Sequence, residues 1–180
     1  MTGRHRMWDG THPVEVDVPV SGGEDVMIPV IRAVVRHVDE PHRILIQRRD
    51  DPSESVRGML EIPGGRWRAG ESPIEAITRE VAEESVVTLV SVDGVDFDAL
   101  DDHRTISSMH PMVVAAGVDG AFPAVHIVLR TTGWGEPRPA EGESSDVRWW
   151  AYDDLVGALD QSRDEFIPSS RAALMAYVEG

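Results

Sequence analysis

From Gly65 to Val87 the chain runs Gly65-RWRAG-Glu71-SPIEAIT-Arg79-Glu80-Val81-Ala82-Glu83-Glu84-Ser85-Val86-Val87, with one arginine and three glutamates inside six consecutive positions. The local signals predict a helix here. Ser72 reads as its N-cap, Pro73 as the first helical residue and Glu75 as the third, a capping box. Ile74, Ile77 and Val81 recur on one face, which would dock on a sheet. Glu80, Glu83 and Glu84 fall beside that face within roughly 100° of arc. Like charges at i,i+4 cost about 0.2–0.5 kcal/mol per pair, a cost most easily tolerated with a cation between them. Oxygen donors of this kind suit Mg²⁺ or Mn²⁺ rather than a soft metal.

The rest of the chain reads as strands around this helix, with two further helices at its end. Residues 1–12 read as a loosely packed tail. Val14–Val20 alternates valine with Glu, Asp and Pro, the pattern of a short edge strand. Pro29–Val38 and Ile44–Arg48 read as strands joined by a turn at Asp39–His42, followed by a polar loop over residues 50–58. Leu60–Ile62 is a short strand entering Pro63-Gly64-Gly65, where glycine opens backbone angles closed to other residues. A strand at Val86–Val92 and an acidic connection over 93–104 come after the helix. A hairpin of Met112–Ala116 with Val125–Thr131 follows, then a long Gly/Pro/Glu loop at Gly133–Ser145 and a strand at Val147–Trp150. Loops of that length are often functional. A short helix opens at Tyr152–Leu155 and a final one runs from Pro168 through Val178. The order implies an α/β (α+β) sandwich with a mixed β-sheet. We divide it into a tail and edge strand, 1–25, and a main domain, 26–180.

Composition narrows the function. A chain of 180 residues with 41% hydrophobic and 27% charged residues is expected to fold as one globular domain with a full core. There is no cysteine, which excludes disulfides, thiolate metal sites and a cysteine nucleophile. No apolar run approaches the roughly 20 residues that span a bilayer, and the N-terminus does not read as a signal peptide. A cytoplasmic protein is the expectation. A net charge of −15 repels duplex nucleic acid. A small anionic substrate is still compatible with it where metal ions and a few arginines reverse the sign locally.

The 65–87 stretch resembles the Nudix box, Gly-x5-Glu-x7-Arg-Glu-U-x-Glu-Glu-x-Gly-U with U a bulky apolar residue. Gly65, Glu71, Arg79, Glu80, Val81, Glu83, Glu84 and Val87 stand in register. Val86 stands where the box has its second Gly. The resemblance implies a mixed sheet between helices, the box forming a loop–helix–loop, and Mg²⁺- or Mn²⁺-dependent hydrolysis of a nucleoside diphosphate linked to another moiety X. It implies Glu80 and Glu84 as metal ligands, Glu83 as a third or water-mediated one, and the Gly64 or Gly65 carbonyl as an extra ligand. Arg79 belongs to the same catalytic set, pairing with Glu71 or Glu83 to fix their orientation rather than touching substrate. The base that deprotonates the attacking water is a box Glu or comes from the 133–145 loop. There Glu141 and Glu143 precede the Trp149-Trp150 strand and are weighed equally. Glu61 either approaches the metals or is an exposed strand residue. Of Arg48 and Arg49, one is expected to bind phosphate and the other to be a surface charge. Trp134 either stacks on a base or anchors local packing.

His103, His110 and His126 show no ligand spacing and read as loop or sheet residues. Trp149 and Trp150 should point to opposite faces, one in the core and one toward the cleft. Val86, a β-branched residue where the box has glycine, implies either that the helix ends differently or that the next strand starts sooner. A second reading of the whole chain is a non-catalytic Nudix-fold sensor of a nucleotide metabolite. The intact box carboxylates weigh toward the enzyme. Val14–Val20 is also a candidate for pairing with a second subunit in a homodimer. The identity of X stays open.

Overall fold

A computed structural model describes residues 2–8, 13–19, 27–52, 55–101, 104–117, 123–140 and 144–180. Its centre is an eight-stranded sheet. Strands β3 (Ile28–His37), β4 (Arg43–Arg49), β10 (Val113–Gly117), β11 (Ala124–Trp134) and β12 (Ser144–Ala151) run in the order β10-β11-β3-β4-β12. Three shorter strands join off this path: β5 (Leu60–Glu61) on β4, β6 (Gly64–Arg66) on β3 and β7 (Thr88–Val92) on β11. The sheet is mixed because β11 runs parallel to β3, with Ala124 opposite Ile28 and Gly133 opposite His37, while its other pairings are antiparallel.

Alternation along the central strands divides the core in two. Ile31, Ala33, Val35, Leu45 and Leu129 face helix α1 (Pro73–Ser85), meeting Ala76, Ile77 and Val81. Val34, Ile44, Ile46 and Val128 face the other way. They pack on Leu155 and Leu159 of α2 (Tyr152–Gln161) and on Ala173 and Leu174 of α3 (Pro168–Glu179). The result is the expected helix–sheet–helix sandwich. Ile74, expected on the docking face, is only half buried, and Ala76 takes that place. Trp149 packs with the α1-side core and Trp150 with the other.

Three readings are corrected. Residues 1–12 are not only a tail, since β1 (Thr2–Trp8) pairs antiparallel with β2 (Pro13–Pro19). The expected edge strand is β2, which among the described residues pairs with β1 alone. The register sets Arg4 opposite Asp17 and Arg6 opposite Glu15. Residues 93–104 are not a mere connection: β8 (Val95–Asp101) and β9 (Arg104–Met109) form another hairpin. Acidic composition masked the period-two alternation of Val95-Asp96-Phe97-Asp98. Finally, β11 runs on to Trp134, which shortens the long loop at its start.

Candidate active site

Helix α1 starts where the sequence places its start. Ser72 Oγ accepts from Glu75 N at 3.2 Å, and the Glu75 carboxylate accepts from Ser72 N at 2.8 Å. It ends in neither of the ways foreseen. Val86 itself takes the left-handed conformation, φ 62°, and its N–H closes the last turn onto the Ala82 carbonyl. The chain thus keeps the turn a glycine would make, with a β-branched residue in strained backbone.

The segment before the helix brings backbone against the carboxylates. Gly64 sits at φ 138°, pressed so closely on Ile31 O and Arg32 Cα that no β-carbon fits. Its N–H donates to Glu84 Oε2 at 2.9 Å, and Gln47 Nε2 donates to the same oxygen at 2.9 Å. Glu84 is 3% exposed. Burial, and then the nearby charge of Glu61, push its carboxyl well above the usual carboxylate range. Glu80 is buried against Gly65, and burial raises its carboxyl too, while Arg79 opposes that rise. Glu83, on the outer side of the helix, stays half exposed.

Arg79 ties the box together. Its Nε and Nη2 form a fork on the two Glu71 oxygens at 2.6 and 2.9 Å. Nη1 reaches Glu80 at 2.6 Å and Glu83 at 3.2 Å, and Nη2 also donates to the Arg66 carbonyl. Glu71 is held below the ordinary carboxylate range by this arginine. A bidentate guanidinium is suited to fixing carboxylates in one orientation.

Glu61 is fully buried, not an exposed strand residue. Arg32 Nη1 donates to its Oε2 at 2.9 Å, Arg49 Nη1 lies 3.6 Å from its Oε1, and Oε1 accepts no hydrogen bond. Arg49 Nη1 also lies 3.8 Å from Glu84 Oε1, so one guanidinium faces both acids. Strand parity separates the neighbouring arginines. Arg49 shares the Gln47 side, whereas Arg48 pairs with Gly58 O, Asp146 and Glu165. Trp134 is 55% exposed at the end of β11, opposite Thr88. Nothing described brings it to the carboxylates.

Glu141, Glu143 and His103 lie outside the described residues. The described residues on either side of 141–143 are tied to each other and to α1. Ala140 N donates to Ser144 Oγ at 3.1 Å, and that hydroxyl donates to the Glu84 carbonyl at 2.7 Å. Among the described residues, no three His, Asp or Glu side chains converge as a ready metal cage; Arg79 and Arg49 stand between the acids instead.

Sequence reading missed Arg32, Gln47 and Ser144, whose partners are distant in the chain. A polar residue inside an apolar strand, as Arg32 and Gln47 are, is the signal that would have flagged two of them. It also missed a cleft of about 450 Å³ beside Glu61, bordered by Arg32, Arg49, His126 and the start of α3. Burial first, and Arg32 second, lower the His126 imidazole to about 4.

A mixed sheet between helices, with a buried acidic row on one helix and a glycine turn facing it, defines an α/β-sandwich protein built around clustered carboxylates. The NUDIX domain family model matches residues 27–170. The chain belongs to the Nudix family and is a hydrolase of pyrophosphate bonds. Nudix hydrolases generally use divalent metal ions and act on small nucleotide-derived substrates.

Among solved structures, the MutT Nudix hydrolase from Burkholderia pseudomallei is similar at 21% identity and TM-score 0.61, with 84% of this chain and 98% of that chain covered. The MutT protein from Methanosarcina mazei Go1 is similar at 19% identity and TM-score 0.62, covering 87% and 96%. The Nudix domain of Shewanella oneidensis NrtR, crystallised with ADP ribose, is similar at 14% identity and TM-score 0.62, covering 89% and 93%. These likenesses carry the fold. A search of curated proteins gave no significant match.

Proposed function

We propose that this chain is a Mg²⁺-dependent (or Mn²⁺-dependent) hydrolase of a nucleoside diphosphate linked to a further group X, with residues 26–180 as the catalytic domain. The observation that carries this reading is the placement of Glu84 and Glu61, two buried acids facing one arginine beside an open cleft. The donors fit a hard divalent cation. They are all oxygen, Glu61 Oε1 is buried with no hydrogen bond, and Glu84 resists ionisation until positive charge arrives.

In this reading Glu80, Glu84 and Glu61 hold the metal with the Gly64 carbonyl, and Glu83 adds a water-mediated contact from its exposed position. The bound ions supply charge neutralisation on the diphosphate and a water of lowered pKa. Arg79 positions Glu80 and Glu83. Gln47 and Gly64 N–H fix one Glu84 oxygen, leaving Oε1 facing the cleft side with Arg49. Arg49 is the arginine we assign to substrate phosphate, and Arg48 is left as a surface charge. Glu141 and Glu143 remain alternative acceptors for the proton of the attacking water, in a loop whose flank is tied to Glu84. The Shewanella domain's complex with ADP ribose supports a nucleoside diphosphate derivative as the ligand class.

The test is Mg²⁺-dependent product release from nucleoside triphosphates, ADP-ribose, nucleotide sugars and dinucleoside polyphosphates, with Glu84→Gln alongside. Turnover of one compound that falls at least about a hundredfold in the variant supports the proposal. Tight nucleotide binding with no turnover in either protein would make the chain a sensor instead.

A further inference from the structure

We propose that His126 is a specificity-determining residue: its Nε2–H donates into the cleft and selects a substrate that carries, away from the diphosphate, a flat uncharged heterocycle with a carbonyl oxygen or ring nitrogen. The place of that ring in a diphosphate substrate rests on the hydrolase reading above; the hydrogen bond to the ring does not.

Strand register puts the imidazole on the cleft floor. His126 lies on β11 between its paired residues, Ala115 of β10 and Val30 of β3. Val128, two residues further on, is the partner of Arg32 and belongs to the core beneath α2 and α3. Residues two apart on a strand share a face. His126 and Arg32 therefore rise from the same side of the sheet, offset by about 7 Å along the strands, and both line the cleft. Arg32 is committed to Glu61 and to the Ile62 carbonyl, and Arg49 also faces Glu61. The charged groups thus gather on Glu61, and His126 stands a step away from them.

The imidazole lacks partners. Nδ1 is sealed from solvent and makes no hydrogen bond. Nε2 is not sealed, and no group among the described residues bonds to it. A neutral imidazole has one N–H and one bare nitrogen. A sealed N–H with no acceptor is the rarer arrangement in folded proteins, which places the proton on Nε2. Burial first, and Arg32 second, keep the ring uncharged down to about 4, so at neutral pH it offers a donor without a charge.

The walls indicate what that donor meets. Ala115, Ala116, Gly117, Ile167 and Ala172 border the cleft, and their small or apolar side chains offer no partner to the several hydroxyls of a sugar. A flat ring needs apolar walls and a few placed polar groups, and about 450 Å³ is room enough for one. A dedicated donor also rejects an analogue without the acceptor, because the donor is then left unpaired.

The experiment follows the His126 Nε2 resonance by NMR, assigned by its loss in His126→Gln, while AMP, GMP, UMP and ribose 5-phosphate are titrated separately. Mg²⁺ is present throughout, and none of the four contains a diphosphate to cleave. At least one nucleotide should shift Nε2 on a saturating curve, and ribose 5-phosphate should leave it in place. His126→Leu should bind that nucleotide about tenfold more weakly, whereas His126→Gln, which keeps an uncharged N–H, should stay within about threefold of wild type. Amide spectra report whether each variant is folded; were His126→Leu unfolded, the wild-type shift and the His126→Gln affinity still decide. An unmoved Nε2, an equal response to ribose 5-phosphate, or a His126→Gln affinity as weak as that of His126→Leu overturns the assignment.

A second arm reads turnover. For any diphosphate derivative that the wild type hydrolyses, His126→Leu should raise KM about tenfold; an unchanged KM overturns the specificity role. Failure of all hydrolysis overturns the hydrolase reading instead, while the titration still decides the hydrogen bond.

Discussion

A β-carbon on Gly65 would stand 2.5 Å from Glu80 Oε2 and 2.8 Å from its Cδ. Glu80 has little freedom to retreat, because Arg79 Nη1 holds its other oxygen at 2.6 Å. Gly65→Ala should therefore displace a proposed metal ligand rather than strain the backbone. We expect Mg²⁺-dependent turnover to fall about tenfold or more and stability to drop by about 1–3 kcal/mol. Initial rates and chemical denaturation measure the two.

Arg79 contacts Glu71, Glu80 and Glu83 at once. A lysine keeps the charge but not the fork. Arg79→Lys should raise the half-saturating Mg²⁺ concentration about 10- to 100-fold, with a smaller effect on the rate at saturating metal. Mn²⁺ binding followed by electron paramagnetic resonance reads the same change without turnover. Unchanged affinity would remove Arg79 from the positioning role.

Val86 is 58% exposed and sits at φ 62°, so its side chain contributes little packing to offset the backbone cost. Relief of roughly 1–2 kcal/mol exceeds the roughly 0.5–1 kcal/mol that glycine loses through unfolded-chain entropy. Val86→Gly should stabilise the protein by up to about 1 kcal/mol. A denaturation midpoint lower than wild type would show that the valine is held by something other than strain.

His126 carries the pH prediction. Its imidazole moves from 6.5 in the unfolded chain to about 4 in the fold, so the unfolded state binds the proton first. Its contribution is present in full above about pH 6.5 and is lost as pH falls toward 4. His126→Gln should flatten the decline of the denaturation midpoint over that window. A variant curve parallel to wild type from pH 7 to 4 would refute this.

The parts of the site set by local chemistry were legible in the chain. Ser72, Pro73 and Glu75 fix the helix start through contacts within three residues, and short apolar stretches rich in Val and Ile mark β3 and β4. What stayed hidden depends on pairing across the sheet. Glu61 is buried because Arg32, from another strand, meets it. Arg48 and Arg49 look alike until parity sends one to Glu84 and the other to Asp146. Glu83 reads like Glu80 and Glu84 on a helical wheel, and only the sheet below α1 decides that it faces outward. The Val86 turn was hidden for a different reason: propensity argued against the backbone that the closing hydrogen bond to Ala82 imposes.

The parallel pairing of β3 with β11 has a consequence for how the chain is made. Every segment that contributes an acid from the box is synthesised before β11, yet β11 is the strand that completes the sheet centre on which α1 rests. Such long-range closure is slow relative to hairpin formation. On the ribosome, the β3 and β4 part of the floor beneath Glu80, Glu83 and Glu84 is made before their helix, and the part that Leu129 supplies only after it.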